Sequence, residues 1–165
     1  MLTGRWIVGG VTLLLAGSAA AEPVSVAALL KPIEQIRMDF EGANRFVLLV
    51  HREGMAEDGT TIAPFEGAKV VEHGWHDVDP PAGADPHGYL ALTTSNGDVA
   101  YMRFTVRAVF LAGADGPQLR DHGYWELVGG TGRFETARGV GTVVIEPKGD
   151  EGTRFVLEGD IGDTP

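Results

Sequence analysis

From residue 98 to residue 111 the chain alternates: Ala100, Met102, Phe104, Val106, Ala108 and Phe110 share one parity, and Tyr101, Arg103, Thr105 and Arg107 the other. Successive side chains of a strand point to opposite faces, so this period of two predicts a sheet with one dry and one wet side. The pattern returns over 153–161, where Phe155, Leu157 and Ile161 oppose Arg154, Glu158 and Asp160. Further strands are predicted at 35–41, 45–53, 67–78, 88–94, 120–128 and 138–146, separated by clusters of Gly, Pro, Asn and Asp. Asn96-Gly97 between two alternating runs predicts a tight hairpin, because a primed turn needs residues that tolerate positive φ.

Three segments depart from this rhythm. Ser25 to Leu30, ahead of Pro32, reads as one or two helical turns. Asp79 to His87 holds three prolines and reads as a surface loop at one rim. Phe46 to Val50 is apolar at both parities, so its outward side is expected to meet another strand, a loop or a second subunit. A homo-oligomer is therefore open. Eight strands joined by short turns predict an all-β domain, either a sandwich or an eight-stranded antiparallel β-barrel, and the barrel is preferred. A closed barrel of that size has room inside for packed side chains or one small ligand.

The first residues carry a different signal. Arg5 is followed by an apolar stretch from Trp6 to Ala16, then by small residues ending in Ala19-Ala20-Ala21 before Glu22. This is the order of a secretory signal peptide, with Ala19 and Ala21 at the positions a signal peptidase reads. The apolar stretch is short for a spanning helix. Residues 1–21 are thus expected to be cleaved. A single domain over 22–165 would remain, periplasmic or secreted, with no membrane anchor.

Removing Arg5 takes the formal charge from −10 to −11. The basic residues are scattered, which argues against nucleic acid and anionic membrane surfaces. The chain has no cysteine, so disulfides and thiolate chemistry are excluded. A domain of this length can bury a sufficient core without them.

The most distinctive stretch runs from Gly123-Tyr124-Trp125 through Gly129-Gly130-Thr131-Gly132-Arg133-Phe134 to Arg138-Gly139 and Gly141-Thr142-Val143. It predicts a hairpin with an elaborated, glycine-rich corner. Together with His87-Gly88-Tyr89-Leu90, Asn96-Gly97-Asp98 and Asp121-His122, it resembles the allene oxide cyclase-like and dirigent-like β-barrels, including small secreted bacterial members. The resemblance covers roughly residues 67–146. It implies a calycin-like eight-stranded barrel, often dimeric or trimeric, with a mostly apolar lumen. It also implies a small hydrophobic molecule held there, with isomerase or cyclase chemistry in some members. No catalytic residue of either family aligns with this chain. Nor do the glycines make a nucleotide site, since no long helix follows them.

Polar clusters were weighed against that background. In Glu72-His73-Gly74-Trp75-His76-Asp77 the residues His73, Trp75 and Asp77 share one face, and Glu72 and His76 the other. A metal reading joins His73 and Asp77 to His87 or His122, but four residues of strand span about 13 Å, too far for co-ligation. A solvated strand face is the favoured reading, with no metal and no cofactor expected. A calcium loop over Asp77 to Asp85 is broken by Pro80 and Pro81.

His122, Tyr124 and Glu126 share a second face, with Arg103 within reach across a strand pair. Turned inward they would form a buried acid/base group, the candidate catalytic set. Turned outward they are ordinary cross-strand pairs, and the apolar face of 98–111 favours this reading. Trp75 and Trp125 are both expected inside, walling a pocket or filling core. With Met102, Phe104, Phe110 and Phe155 they form the candidate ligand-binding set. Two main functions stay open: a lumen that binds a small hydrophobic molecule, or a non-catalytic structural or partner-binding domain with a packed core. An enzyme built on His122, Glu126 and Arg103 is a third.

Overall fold

The computed structural model describes residues 21–113 and 118–163. All but one residue of the signal-peptide reading lies outside them. Eight strands follow in order: β1 (Glu22–Asp39), β2 (Phe46–Ala56), β3 (Lys69–Asp79), β4 (Gly83–Thr93), β5 (Val99–Leu111), β6 (Gln118–Gly130), β7 (Ala137–Pro147) and β8 (Thr153–Asp163). Each pairs antiparallel with the next, and β1 pairs with β8, so the sheet closes into a barrel. Cross-strand partners traced once around the wall from Glu22 pass through Ile161, Gly139, Leu127, Met102, Leu90, Glu72 and Arg52. They return to Pro32, a stagger of ten residues along β1. A stagger of this kind tilts the strands and sets the barrel's width.

Alternation along β5 appears as predicted. Ala100, Met102, Phe104, Val106 and Ala108 are buried, while Tyr101, Arg103, Thr105 and Arg107 are exposed. The interior is filled by large side chains. Trp125, Phe104, Phe155, Met102, Leu90, Leu127 and Leu157 are fully buried, and Phe104 meets Phe155 edge-on with ring centroids 5.6 Å apart. Trp125 lies over the backbone of β7 and β8, where its indole N–H donates to the Glu158 carbonyl (3.2 Å). The space comes from Gly141 and Gly159: a Cβ on either would stand 2.6–2.7 Å from the indole ring.

One end of the barrel is plugged. The β2–β3 connection folds back so that Phe65 is buried against Phe134, the rings stacked at 5.4 Å. Phe134 comes from the predicted glycine-rich corner, a 3-10 turn over Gly132–Phe134. Gly132 there has φ +56°, and a Cβ would strike the Asp98 carboxylate.

Two predicted segments fold otherwise. Ser25 to Leu30 is strand, not helix. Val24, Val26, Ala28 and Leu30 face inward, but Ala27 is buried as well because the β2–β3 connection covers it. Glu57 N–H donates to Ala27 O and Ile62 N–H to Ser25 O. Burial on both faces hides the period of two, and the predicted strand 35–41 meets only the last residues, 35–39, of an 18-residue strand. Asp79 to His87 is a tight hairpin with β4 already under way at Gly83. Pro86 sits inside β4 opposite His76, at a position without ladder partners on β5.

At the end away from the plug the wall is uneven. β8 leaves β1 after Leu30, and β1 runs on with β2 alone as a rim hairpin whose residues 31–45 are all exposed. β6 and β7 share ladder partners only over Gly123–Leu127 and Gly139–Val143. Beyond that, the Asp121 carboxylate accepts the Ile145 N–H (2.8 Å) in place of a backbone carbonyl. Burial pushes the Asp121 carboxyl above its ordinary value, against the opposing pull of that hydrogen bond.

Two outcomes follow. Gly141→Ala would set a Cβ 2.0 Å from the Glu158 carbonyl oxygen as well as 2.6 Å from the Trp125 indole. Strand and ring must then both shift, at a cost of about 3 kcal/mol or more in urea unfolding, the upper end of overpacking penalties. An acid with a raised folded-state pKa favours folding while protonated and loses that contribution as pH rises through the folded value. Asp121→Asn keeps an acceptor for Ile145 without the charge. Its stability relative to the parent should therefore improve from pH 3 to pH 7 in parallel unfolding curves.

Candidate functional site

The polar cluster of β3 divides between the two faces of the wall. Inward, Glu72 is fully buried and His76 nearly so. Arg52, on β2 directly opposite Glu72, completes a buried trio that the sequence reading missed. Arg52 Nη1 donates to Glu72 Oε2 at 2.6 Å, and His76 Nε2 lies 2.9 Å from Glu72 Oε1. Gly74 makes the arrangement possible, since a Cβ there would come within 2.5 Å of Glu72 Oε1. The favoured reading of this face as solvated is thus corrected for Glu72 and His76. Each finds its partners by register, and no buried side-chain nitrogen or oxygen is left unpaired among the described residues.

Outward, the cluster builds a cleft. Two rows of side chains run across β1 to β4. In one, Glu34, His51, His73 and Tyr89 are successive cross-strand partners; in the other, Ile36, Leu49, Trp75 and His87. The row between them, Val50, Gly74 and Gly88, points its side chains inward or has none, so its backbone forms the floor. The cleft is a trough open to solvent, with a volume of about 460 Å³. Each wall contains a stacked ring pair: His51 with His73 at 4.7 Å, and Trp75 with His87 at 6.3 Å. Glu53 reaches the His51 Nε2 at 3.2 Å, while the Lys69 ammonium beside it holds the Glu53 carboxyl below its ordinary value.

Placement corrects part of the candidate ligand-binding set. Trp125, Met102, Phe104 and Phe155 are inside and packed against one another. Trp75 is 41% exposed and forms the outer cleft, because the inward positions of β3 are taken by Glu72, Gly74 and His76. Phe110 has the inward parity but lies at the rim, 40% exposed. The candidate catalytic residues do not come together inside: His122 and Tyr124 are exposed on the outer face, and Arg103 pairs there with Glu126 across β5 and β6. Two of the three carboxylates of the rejected calcium loop are held by arginines, Asp77 by Arg45 and Asp85 by Arg107. The Arg45 contact keeps the Asp77 carboxyl below its ordinary value. Among the described residues no three His, Cys, Asp or Glu side chains gather around a point where a metal could sit.

No protein-family model matches the chain, and no curated protein does. Among solved structures it is similar to a β-barrel-like protein of Acinetobacter baumannii AYE, at 13% identity and a TM-score of 0.48 over 86% of this chain and 95% of that one. It is also similar to a protein with unknown function from Clostridium acetobutylicum ATCC 824, at 13% identity and a TM-score of 0.41 over 88% and 99%. The closed strand order itself defines the class, an eight-stranded antiparallel β-barrel.

The buried trio is open to a stability test. Arg52→Met leaves Glu72 buried without its cation and should cost about 3–5 kcal/mol in chemical unfolding. Replacing all three polar groups together, as Arg52→Met, Glu72→Leu and His76→Phe, should recover most of that loss.

Proposed function

We propose that this protein is an exported, non-catalytic binding barrel that takes a small, largely apolar molecule with a flat ring in its outward cleft. The observation that carries the reading is the pair of walls over a backbone floor, each wall holding a stacked ring pair. Rows two residues apart on a strand are separated by about 6.6 Å. That gap admits one layer of ligand atoms at roughly 3.5 Å from each wall. The cleft's volume of about 460 Å³ falls in the range of small-molecule sites. Ile36 and Leu49 offer apolar contact at one end, and His87 and Tyr89 offer polar edges at the other.

Two further supports come from the sequence. The leader-like residues 1–21 favour a periplasmic or secreted protein that meets molecules at the cell envelope. The resemblance to allene oxide cyclase-like and dirigent-like barrels favours a hydrophobic ligand. It would put that ligand in the lumen, but a molecule there would have to displace Trp125, Phe104 or Phe155, all fully buried. The outer cleft asks for no such displacement. Isomerase or cyclase chemistry is left aside, because the inward acid/base groups Glu72 and His76 are committed to each other and to Arg52.

The test is a screen of aromatic and aliphatic small molecules by intrinsic fluorescence, with calorimetry on the hits. Trp75→Ala should weaken a hit about tenfold or more, while the thermal midpoint stays within a few degrees of the parent. If Trp75→Ala binds as tightly as the parent and Phe104→Leu abolishes binding, the ligand sits in the lumen and the cleft assignment is wrong.

A further inference from the structure

Among the described residues, no strand pairs with the rim half of β1 on the side away from β2. Pairing with β8 ends at Leu30 opposite Thr153, while pairing with β2 continues to Asp39 opposite Phe46. On this stretch Ile36, Met38 and Phe40 are 42–51% exposed, although they are the large apolar residues of the segment. Exposed strand edges are templates for further pairing, and proteins guard them with Lys, Pro and bulges. Here Lys31, Pro32 and the bulge between Pro32 and Glu34 guard only the start.

The hydrogen-bonding phase of the edge is fixed by its last bond. Phe40 N–H donates to Arg45 O at 3.1 Å, so Phe40 turns its N–H toward β2. Backbone groups along a strand alternate between its two sides. Ile36 and Met38 therefore share that side, and Gln35, Arg37 and Asp39 present their N–H and C=O groups at the free edge. A partner strand must satisfy these three.

One partner fits in a single register: the same segment of a second copy. Arg37 already bonds Asp39 within its own strand (2.7 Å). With Met38 on a two-fold axis each also faces the opposite charge of the second copy, so the four side chains form one alternating cluster. The residues that bond across the edge are thus also the ones of opposite charge. On the other face Met38 meets Met38, and Ile36 meets Phe40 in both directions. These are the closely spaced, non-hydrogen-bonded positions, where side chains pack best. Centring the axis on Arg37 instead would oppose two guanidiniums. Centring it on Ile36 would set Met38 against Glu34 and Asp39 against Ile33.

We propose that the protein self-associates through the free edge of β1 over residues 35–40, forming a two-fold dimer whose sheet runs on from one barrel to the other. A single strand pair is a small interface, so the dimer is weak and its population follows concentration. Ile36 belongs to both surfaces, at one end of the cleft and in the dimer face, but the dimer is argued from the strand edge and does not need the cleft's ligand.

Sedimentation velocity of the purified protein from about 1 to about 500 µM tests it, the upper limit being set by the weak affinity of small interfaces. The parent should shift from monomer toward dimer across that range. Arg37→Asp and Asp39→Arg, each leaving like charges opposed, should each raise the dissociation constant about tenfold or more. The double swap Arg37→Asp/Asp39→Arg should restore it. So should an equimolar mixture of the two single variants, in which every charge meets its opposite across the axis although the Arg37–Asp39 pair within each strand stays broken. Unchanged thermal midpoints in all three variants would confirm that the rim alone has been altered. A parent that is monomeric at the highest concentration overturns the proposal. So does a dimer that neither single change weakens, or a double swap that stays as weak as the single changes.

Discussion

The stagger of the closed sheet decides where every other feature can stand. Because partners traced around the wall return ten residues further along β1, the inward rows climb as they go round, and each row mixes residues from distant parts of the chain. One such row brings Val50, Gly74, Gly88, Phe104, Trp125, Gly141 and Gly159 together. Of its two large rings, Trp125 lies over Gly141 and Gly159, while Phe104 meets Phe155 edge-on. Size on one side of the barrel is matched by absence of side chain on the other, which is how a small barrel reaches close packing without strain.

The same row explains the outer cleft. Gly74 and Gly88 give the interior room, and because neither has a Cβ the backbone between the two outer rows of side chains stays low. The inner polar trio uses Gly74 again, since the Glu72–His76 contact occupies the place of its missing Cβ. One glycine thus serves the packing inside, the ion pairing beside it and the floor of the cleft above. Its replacement would touch all three at once.

Much of the architecture was legible from the residues alone, and the failures have physical reasons. β5 and β8 show their alternation because one face of each is dry and the other wet. Asn96-Gly97 marks its hairpin through the backbone angle it needs, and Gly97 has φ +91°. The start of β1 was misread because a loop covers its outward face. β4 starts at Gly83, ahead of the predicted 88, because Pro86 occupies a position where no ladder bond to β5 is required of it. Arg52, Glu72 and His76 were invisible as a group, since a charged residue reads as exposed until its partner is known. That partner depends on the register between β2 and β3. The direction of Trp75 follows from the same cause: once Glu72 and His76 turn inward, parity sends the tryptophan out.

Closure of the barrel joins its first strand to its last: Glu22 is opposite Ile161. Contacts of such long separation are the most costly in loop entropy and the last to form. The meander from β2 to β6 can assemble from neighbouring hairpins, but the ring is complete only when the final strand reaches the first. Until then both strands have open edges, so the interval before closure is when the chain is most exposed to mispairing with its own copies. The pairing of β1 with β8 closes both edges at once, so the unclosed sheet is the form of this chain that dilution or a chaperone would protect.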